Sequence, residues 1–504
     1  MRSDKKFINL ILTVFCFSFL LTFTGCDVFN SPSDFVDSED FNLSVTNQEY
    51  DLFIYSDVNQ KEEFEFLCEK YEAKSGVKIK YFFVEPNQDY FSSLKSQINS
   101  EHKPAIFIVR GNSELSSLEK DGLILDLLSE SESKFNTFVN SIPKDFWLTS
   151  NDFNNFGIPC SLESHGYLVN IQMVKDLVGE KKAEQFLKDF KNCSYSEFEN
   201  FVINLSEYIK CSRETTVFIN ENSYDFSKQK SPKVSSLKGV FSPKKRDFRS
   251  FESIFFNIFD TPLKLFKSSY QQIDSLESFL FSYAQLLDFE TSHSLDGENS
   301  TKRSQEFVEL MFKKDQISFL EDFLNGEYFL MQGKNQDFEK IENFLNFNHE
   351  IEQLRMLPIK FPFKEEAIKL PIIKKINSSI PLFVSKYYSI NSKISRKEQK
   401  LAEDFLFFLN TSDCGKNFKI EKLKEIPFNS RTKSNSPLNN SILEYQTFGL
   451  FYGVCSGLPE LWHEILVESE NLKNFISKKE LENKDYQALS KDWIASLKNF
   501  KKTE

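Results

Sequence analysis

Gly453-Val454-Cys455-Ser456-Gly457 has the spacing of a nucleophile elbow with cysteine in the serine position. A hydrolase built on it needs an acid and then a histidine later in the chain, because the nucleophile must hand its proton to an oriented base. Only His463 follows, eight residues on and inside the same expected helix, a placement that does not fold back on the thiol. A glycine-bounded turn leading into a helix accounts for the segment instead. The five histidines (His102, His165, His293, His349 and His463) show no H-x-x-x-H spacing, and the cysteines contain no C-x-x-C pair. Zinc and dithiol chemistry therefore lack sequence support. Glycine-rich phosphate and dinucleotide motifs are missing too. The pattern implies a non-enzyme with no cofactor and no metal, so the chemistry left to explain is binding.

Binding groups in an open α/β sheet belong just beyond the carboxyl ends of parallel strands. Ala105 to Val109 (AIFIV) is an unbroken apolar run, and Arg110, Gly111, Asn112 and Ser113 follow it directly. Arg110, Asn112 and Ser113 are the leading candidates for polar ligand contacts. Ser56, Asp57 and Asn59 follow an earlier strand, where they serve equally well as caps for a helix starting at Lys61.

The elements that must position these groups alternate. Tyr50–Tyr55 is expected as a strand, Lys61–Lys74 as a helix stopped by Gly76, Val77–Val84 as a strand and Tyr90–Ser100 as a helix. Then come the Ala105–Val109 strand and a Ser113–Lys120 helix that ends at Gly122. Such alternation implies βαβ units around a mostly parallel sheet. From Ile171 to Phe347 the pattern is mainly helical, with strands near Thr215–Ile219 and Tyr328–Gln332. Ser227–Arg249, rich in Ser and Lys, is expected as a solvated loop, with a binding patch as its alternative. A strand over Pro381–Asn391, a helix over Arg396–Leu409 and a helical stretch from Leu458 onward complete the pattern. Trp147 and Trp493 are expected to be structural. Cys68, Cys160, Cys193, Cys211, Cys414 and Cys455 are scattered, and spacing alone pairs none of them.

The chain of 504 residues carries a net charge of -12. Arg2, Lys5 and Lys6 precede an apolar run from Phe7 to Phe23, and Thr24 and Gly25 lead into Cys26. This is the three-part layout of an export signal. Leu21-Thr22-Phe23-Thr24-Gly25-Cys26 resembles the lipobox of bacterial lipoproteins, with Phe23 standing where that family usually has Leu. The resemblance implies cleavage after residue 25 and acyl chains such as palmitate on Cys26, enough for stable anchoring. Removal of residues 1–25 takes away three basic groups and one acid, so the charge becomes -14. That balance argues against nucleic acid as a partner. Residues 26–48 carry five acidic groups (Asp27, Asp34, Asp37, Glu39 and Asp40) and no Lys or Arg, a tether composition. Fully extended, such a tether spans on the order of 70 Å.

Five blocks, taken in order, resemble the extracellular solute-binding proteins of ABC importers, in the carbohydrate-binding group that includes maltose-binding protein. They are Phe64–Val84 (FEFLCEKYEAKSGVKIKYFFV), Pro104–Leu127 (PAIFIVRGNSELSSLEKDGLILDL), Gly157–Asn170 (GIPCSLESHGYLVN), Asn325–Gln332 (NGEYFLMQ) and Tyr387–Phe418. The resemblance implies an α/β, two-lobed type II fold with a ligand cleft between the lobes and a helix-rich C-terminal lobe. The N-terminal lobe would take residues 49–163 and 359–411, and the C-terminal lobe 164–358 and 412–504. It places Glu163 and Ser164 at the crossover, Tyr387 at the cleft or in the sheet core, and Trp462 as a ligand stacker or a packing residue. Ser385-Lys386 replaces the family's frequent Gly-Gly, and three Trp are few for an aromatic-lined sugar cleft, where 17 Tyr can substitute. The implied function is capture of a sugar or related small solute by an exported, membrane-anchored monomer that delivers it to permease subunits. The alternative is a surface lipoprotein of the same fold that serves as a sensor input, antigen or adhesin. If the lipobox operates, Cys26→Ser moves the protein from the detergent phase to the aqueous phase in a two-phase extraction; unchanged partitioning would sink the anchor.

Overall fold

The computed structural model describes residues 50–56, 61–85, 88–129, 134–150, 153–211, 214–226, 234–243, 251, 255, 270–294, 316–335, 354–362, 376–455, 465–466, 469–478 and 481–500. Cys26, the tether, Asp57, Asn59 and Trp462 lie outside this set. Residues 51–504 form one compact unit. No helix among the described residues is long and apolar enough to cross a membrane.

The first sheet is built from β1 (Leu52–Ser56), β2 (Ile79–Phe83), β3 (Ile106–Val109), β4 (Ile158–Pro159) and a late strand, β12 (Tyr387–Ile390). Its order is β2-β1-β3-β12-β4, with β2 and β3 parallel to β1 and β12 antiparallel to both neighbours. β1 and β3 are buried at every position, which is why each is a continuous apolar run rather than an alternating one. Helices α1 (Lys61–Ser75), α2 (Tyr90–Ile98), α3 (Asn112–Lys120) and α4 (Lys134–Asn140) belong to this part of the chain. Asp89 caps α2 by accepting from the Phe91 and Ser92 amides.

The second sheet has the order β10-β5-β9-β8, from β5 (His165–Asn170), β8 (Gly239–Phe241), β9 (Tyr328–Lys334) and β10 (Leu354–Leu357). A separate hairpin joins β6 (Thr215–Ile219) to β7 (Asn222–Phe226). Around this sheet lie α5 (Ile171–Val178), α6 (Glu180–Asn192), α7 (Tyr195–Cys211), α8 (Tyr270–Ser292) and α9 (Gln316–Leu324). α5 to α8 share one apolar core with two later helices, through residues such as Phe186, Phe190, Phe198, Phe201, Leu280 and Trp493. The buried Lys360 ammonium donates to the carbonyls of Lys191, Cys193 and Asn377 at 2.9, 3.1 and 2.5 Å, capping the C-terminal end of α6.

Beyond β10 the chain forms β11 (Ile380–Val384), then β12, α10 (Arg396–Thr411), α11 (Asp413–Asn417) and α12 (Pro437–Thr447). It ends with β13 (Phe451–Cys455), α13 (Glu470–Ile476) and α14 (Asn483–Phe500). Ser395 and Glu398 form a reciprocal capping box on α10.

Three sequence expectations change. The Pro381–Asn391 strand is two strands: β11 pairs with β13, and the chain turns at Ser385-Lys386 before β12 enters the first sheet. Gly453 to Cys455 lie in β13 and not in a turn. The basic stretch Ser227–Arg249 is not wholly a solvated loop, because Gly239–Phe241 is buried and pairs with β9. The question of disulfides resolves for five cysteines: Cys68, Cys160, Cys193, Cys211 and Cys414 are free thiols. Trp147 and Trp493 are buried, in line with structural roles.

Gly166 lies in β5 against β10, where a Cβ would meet the Leu357 carbonyl oxygen at 2.4 Å. Gly166→Ala is expected to destabilise the fold by about 1–3 kcal/mol. Urea unfolding measures this, and an unchanged midpoint would refute the packing.

Candidate functional site

β12 fixes the site by register. Tyr387 sits between Val109 and Pro159. The next rung outward therefore holds Arg110, Lys386 and Cys160, and the Cys160 amide donates to the Lys386 carbonyl at 3.0 Å. This rung lies at the carboxyl end of β3, where the strand order reverses about β1, the usual place for a ligand in an open α/β sheet.

Pairing of β1 with β3 covers only Ile54–Ile106 and Tyr55–Phe107. The Tyr90 hydroxyl takes the next position, accepting from the Ile108 amide at 2.9 Å and donating to the Ile108 carbonyl at 3.0 Å. A side chain thus satisfies backbone groups that a strand would otherwise need to meet. The same ring carries the Arg110 guanidinium 4.6 Å from its centroid, a cation–π contact that holds an exposed arginine over the strand end.

Gly111 follows at φ 85°, in the left-handed region that glycine enters without a Cβ penalty. α3 starts at once, and Glu114 reaches back to accept the Arg110 amide at 2.6 Å. Asn112 and Ser113 form the first two residues of α3, so their amides are among those a helix N-terminus leaves available.

The crossover follows three residues after Cys160 and pairs with β11 rather than with the first sheet. Glu163 exchanges both backbone hydrogen bonds with Phe383, and its carboxylate accepts from the Ser385 hydroxyl. Leu162 bridges to Ile426. Ser164 donates its hydroxyl to the Pro381 carbonyl at 2.7 Å, and its amide donates to the Asn335 side chain at 2.9 Å. Asn335 in turn donates to Asn439.

Lys419, fully removed from solvent, donates to the Cys160 carbonyl and to Asn410 Oδ1, each at 2.8 Å. Burial pulls its ammonium down, and Glu425 acts in the opposite direction. Burial also pushes the Glu425 carboxyl up to about 7, with Lys419 and Lys386 drawing it back and Glu163 adding to the rise.

The structure places Arg110 at the carboxyl end of β3, with Asn112 and Ser113 two and three residues beyond it, and buries Glu163 against Phe383 and Ser385 of the segment that leads into Lys386. Tyr387 stands one rung inward at 2% exposure, facing Gly157, whose added Cβ would lie 2.7 Å from the Tyr387 Cβ. Of its two expected placements this is the sheet core. Ser56 is buried at the end of β1. Tyr90, Ser385, Lys386, Lys419 and Glu425 complete the neighbourhood, and sequence reasoning did not select them. Tyr90 left a trace as the first residue of a helix, and Ser385-Lys386 as the pair that replaces the family's Gly-Gly. Among the described residues no group of three or more His, Cys, Asp or Glu forms a metal-binding cluster.

Solved structures share this fold across most of the chain. An extracellular solute-binding protein of family 1 from Alicyclobacillus acidocaldarius superposes with a TM-score of 0.57 at 13% identity, covering 88% of this chain and 98% of its own. A sugar transporter from Rhizobium etli in an open conformation gives 0.57 at 12% identity, over 89% and 98%. A probable secreted solute-binding lipoprotein from Streptomyces coelicolor gives 0.56 at 9% identity, over 89% and 100%. The chain has the fold of the extracellular solute-binding proteins. It is an α/β protein of two lobes, in the type II arrangement. No protein-family model matches it, and no curated protein does.

The folded-state value of Glu425, about 7, lies above its ordinary 4.5. The folded state therefore binds the proton more tightly, and stability falls as pH rises from 4.5 through 7. Thermal unfolding across this window should show a smaller loss in Glu425→Gln than in the unmodified protein; parallel profiles would rule the assignment out.

Proposed function

We propose that this protein is the substrate-binding subunit of an ABC importer, capturing a sugar or related small solute between its lobes and presenting it to permease subunits. The observation that carries the reading is Arg110, exposed at the carboxyl end of β3 on the rung of Lys386, with the buried Glu163 of the crossover accepting from the adjoining Ser385. Guanidinium and carboxylate groups match the hydroxyls of a carbohydrate, and clefts at lobe boundaries are favoured ligand sites. The fold likeness to the Rhizobium etli sugar transporter supports the same class. Asn112 and Ser113 at the start of α3 join the proposed site, Trp462 supplies a stacking face, and Tyr387 backs the rung that carries Lys386.

The lobes are proposed as residues 49–163 with 359–411, and 164–358 with 412–504. Residues 26–48 tether a monomer to the membrane through acylated Cys26, on the outer face of the cytoplasmic membrane or in the cell envelope beyond it. Solute then acts by differential affinity, since only a ligand that prefers the closed state shifts the population presented to the permease.

A panel of sugars and oligosaccharides screened by thermal shift tests this. A bound solute at 100 times its dissociation constant should add about 2.7 kcal/mol. Arg110→Ala should weaken that solute by about tenfold or more, about 1.4 kcal/mol, without moving the ligand-free midpoint, because Arg110 is exposed. No shift with any member of the panel would sink the carbohydrate reading, and full affinity in Arg110→Ala would move the site elsewhere.

A further inference from the structure

A cavity of about 400 Å³ opens in the second lobe between α7, α8 and α14, within the size range of small-molecule sites. Helical spacing builds it. Tyr195 and Glu199 stand one turn apart on α7, while Gln285, Asp288 and Phe289 share a face of α8. Tyr486 of α14 closes one side, donating its hydroxyl to Asp288 Oδ2 at 2.6 Å. The rings are grouped: Phe289 lies 4.6 Å from the His293 ring and 6.2 Å from that of Tyr195.

Three polar groups in this cavity have no hydrogen-bond partner among the described residues: the Tyr195 hydroxyl, the Glu199 carboxylate and the Gln285 amide. A half-buried carboxylate without a partner is costly, and no lysine or arginine lines the cavity to offset it. Burial raises the Glu199 carboxyl, and the Tyr195 hydroxyl is raised by burial and by the surrounding carboxylates, Glu199 foremost. The local potential is thus negative and the walls are aromatic. Aromatic faces with carboxylates favour an organic cation over water. The carboxylates are too few for a metal cluster.

We propose that this cavity is a second binding site, separate from the crossover, that takes a small organic ammonium ion. Its nitrogen sits against Glu199 and Asp288, and its carbon surface lies on Tyr195 and Phe289.

Isothermal titration of residues 26–504 with tetramethylammonium and with putrescine, and with glucose as the neutral control, tests the assignment. Both ammonium ions should bind, more tightly as pH rises and Glu199 ionises. Glu199→Gln should weaken them by about tenfold or more while the protein stays folded, its unfolding midpoint unchanged or raised. Tyr195→Leu should weaken tetramethylammonium in particular, and it carries the test if Glu199→Gln fails to fold. Arg110→Ala should leave ammonium binding unchanged, which separates this site from the proposed solute site. Absence of binding by either ion, or binding undiminished in the folded variants, would overturn the proposal. Glucose binding that disappears in Glu199→Gln would overturn it in favour of a neutral saccharide.

Discussion

Residues 160–163 thread between two backbone partners that lie far away in sequence. The Leu162 amide donates to the Ile426 carbonyl at 2.8 Å, and Glu163 and Phe383 exchange bonds of 2.8 and 3.0 Å. Buried backbone groups must be paired, and this pairing sets where one sheet's part of the chain stops and the next begins. It orients the Glu163 carboxylate toward Ser385 and fixes the turn at Ser385-Lys386. It also delivers Tyr387 into the first sheet in the register that places Lys386 beside Arg110.

Two buried lysines brace this framework in similar ways. Lys360 gathers three carbonyls near the end of α6, and Lys419 joins Cys160 to Asn410 at the end of α10. Lys360 meets carbonyls that the C-terminus of α6 leaves unpaired, whereas Lys419 ties a loop carbonyl to a side-chain amide oxygen. Removing such a group strands several acceptors at once, a larger penalty than the mean value of one hydrogen bond. Cys160, on the rung of Lys386, is thus held by a buried ammonium.

Part of this was legible in the sequence. The continuous apolar runs of β1 and β3, the helix over Arg396–Leu409 and the Arg110–Ser113 position after β3 are local signals, and the structure repeats them. The β6–β7 hairpin was not legible, because its turn uses Asn220 and Glu221 at φ 46° and 69° where Asn-Gly would be the recognisable pair. Gly239–Phe241 was hidden by its Ser- and Lys-rich neighbours. Lys419 left no signal, since an isolated lysine is by default a surface residue and the carbonyl it meets belongs to a segment 259 residues away. The insertion of β12 between β3 and β4 is likewise a long-range pairing that no local periodicity encodes.

That insertion constrains the order in which the molecule is completed. β3 and β4 are neighbours in sequence terms, yet β12 separates them and is not made until residue 390. A chain synthesised from its N-terminus therefore holds its first sheet open, with β3 and β4 lacking a common partner, until more than three-quarters of the 504 residues exist. Pairings of such sequence separation are slow to close. The nascent chain consequently keeps an unclosed first sheet through most of its synthesis, and the late arrival of one short strand sets the moment at which the two halves of that sheet become one.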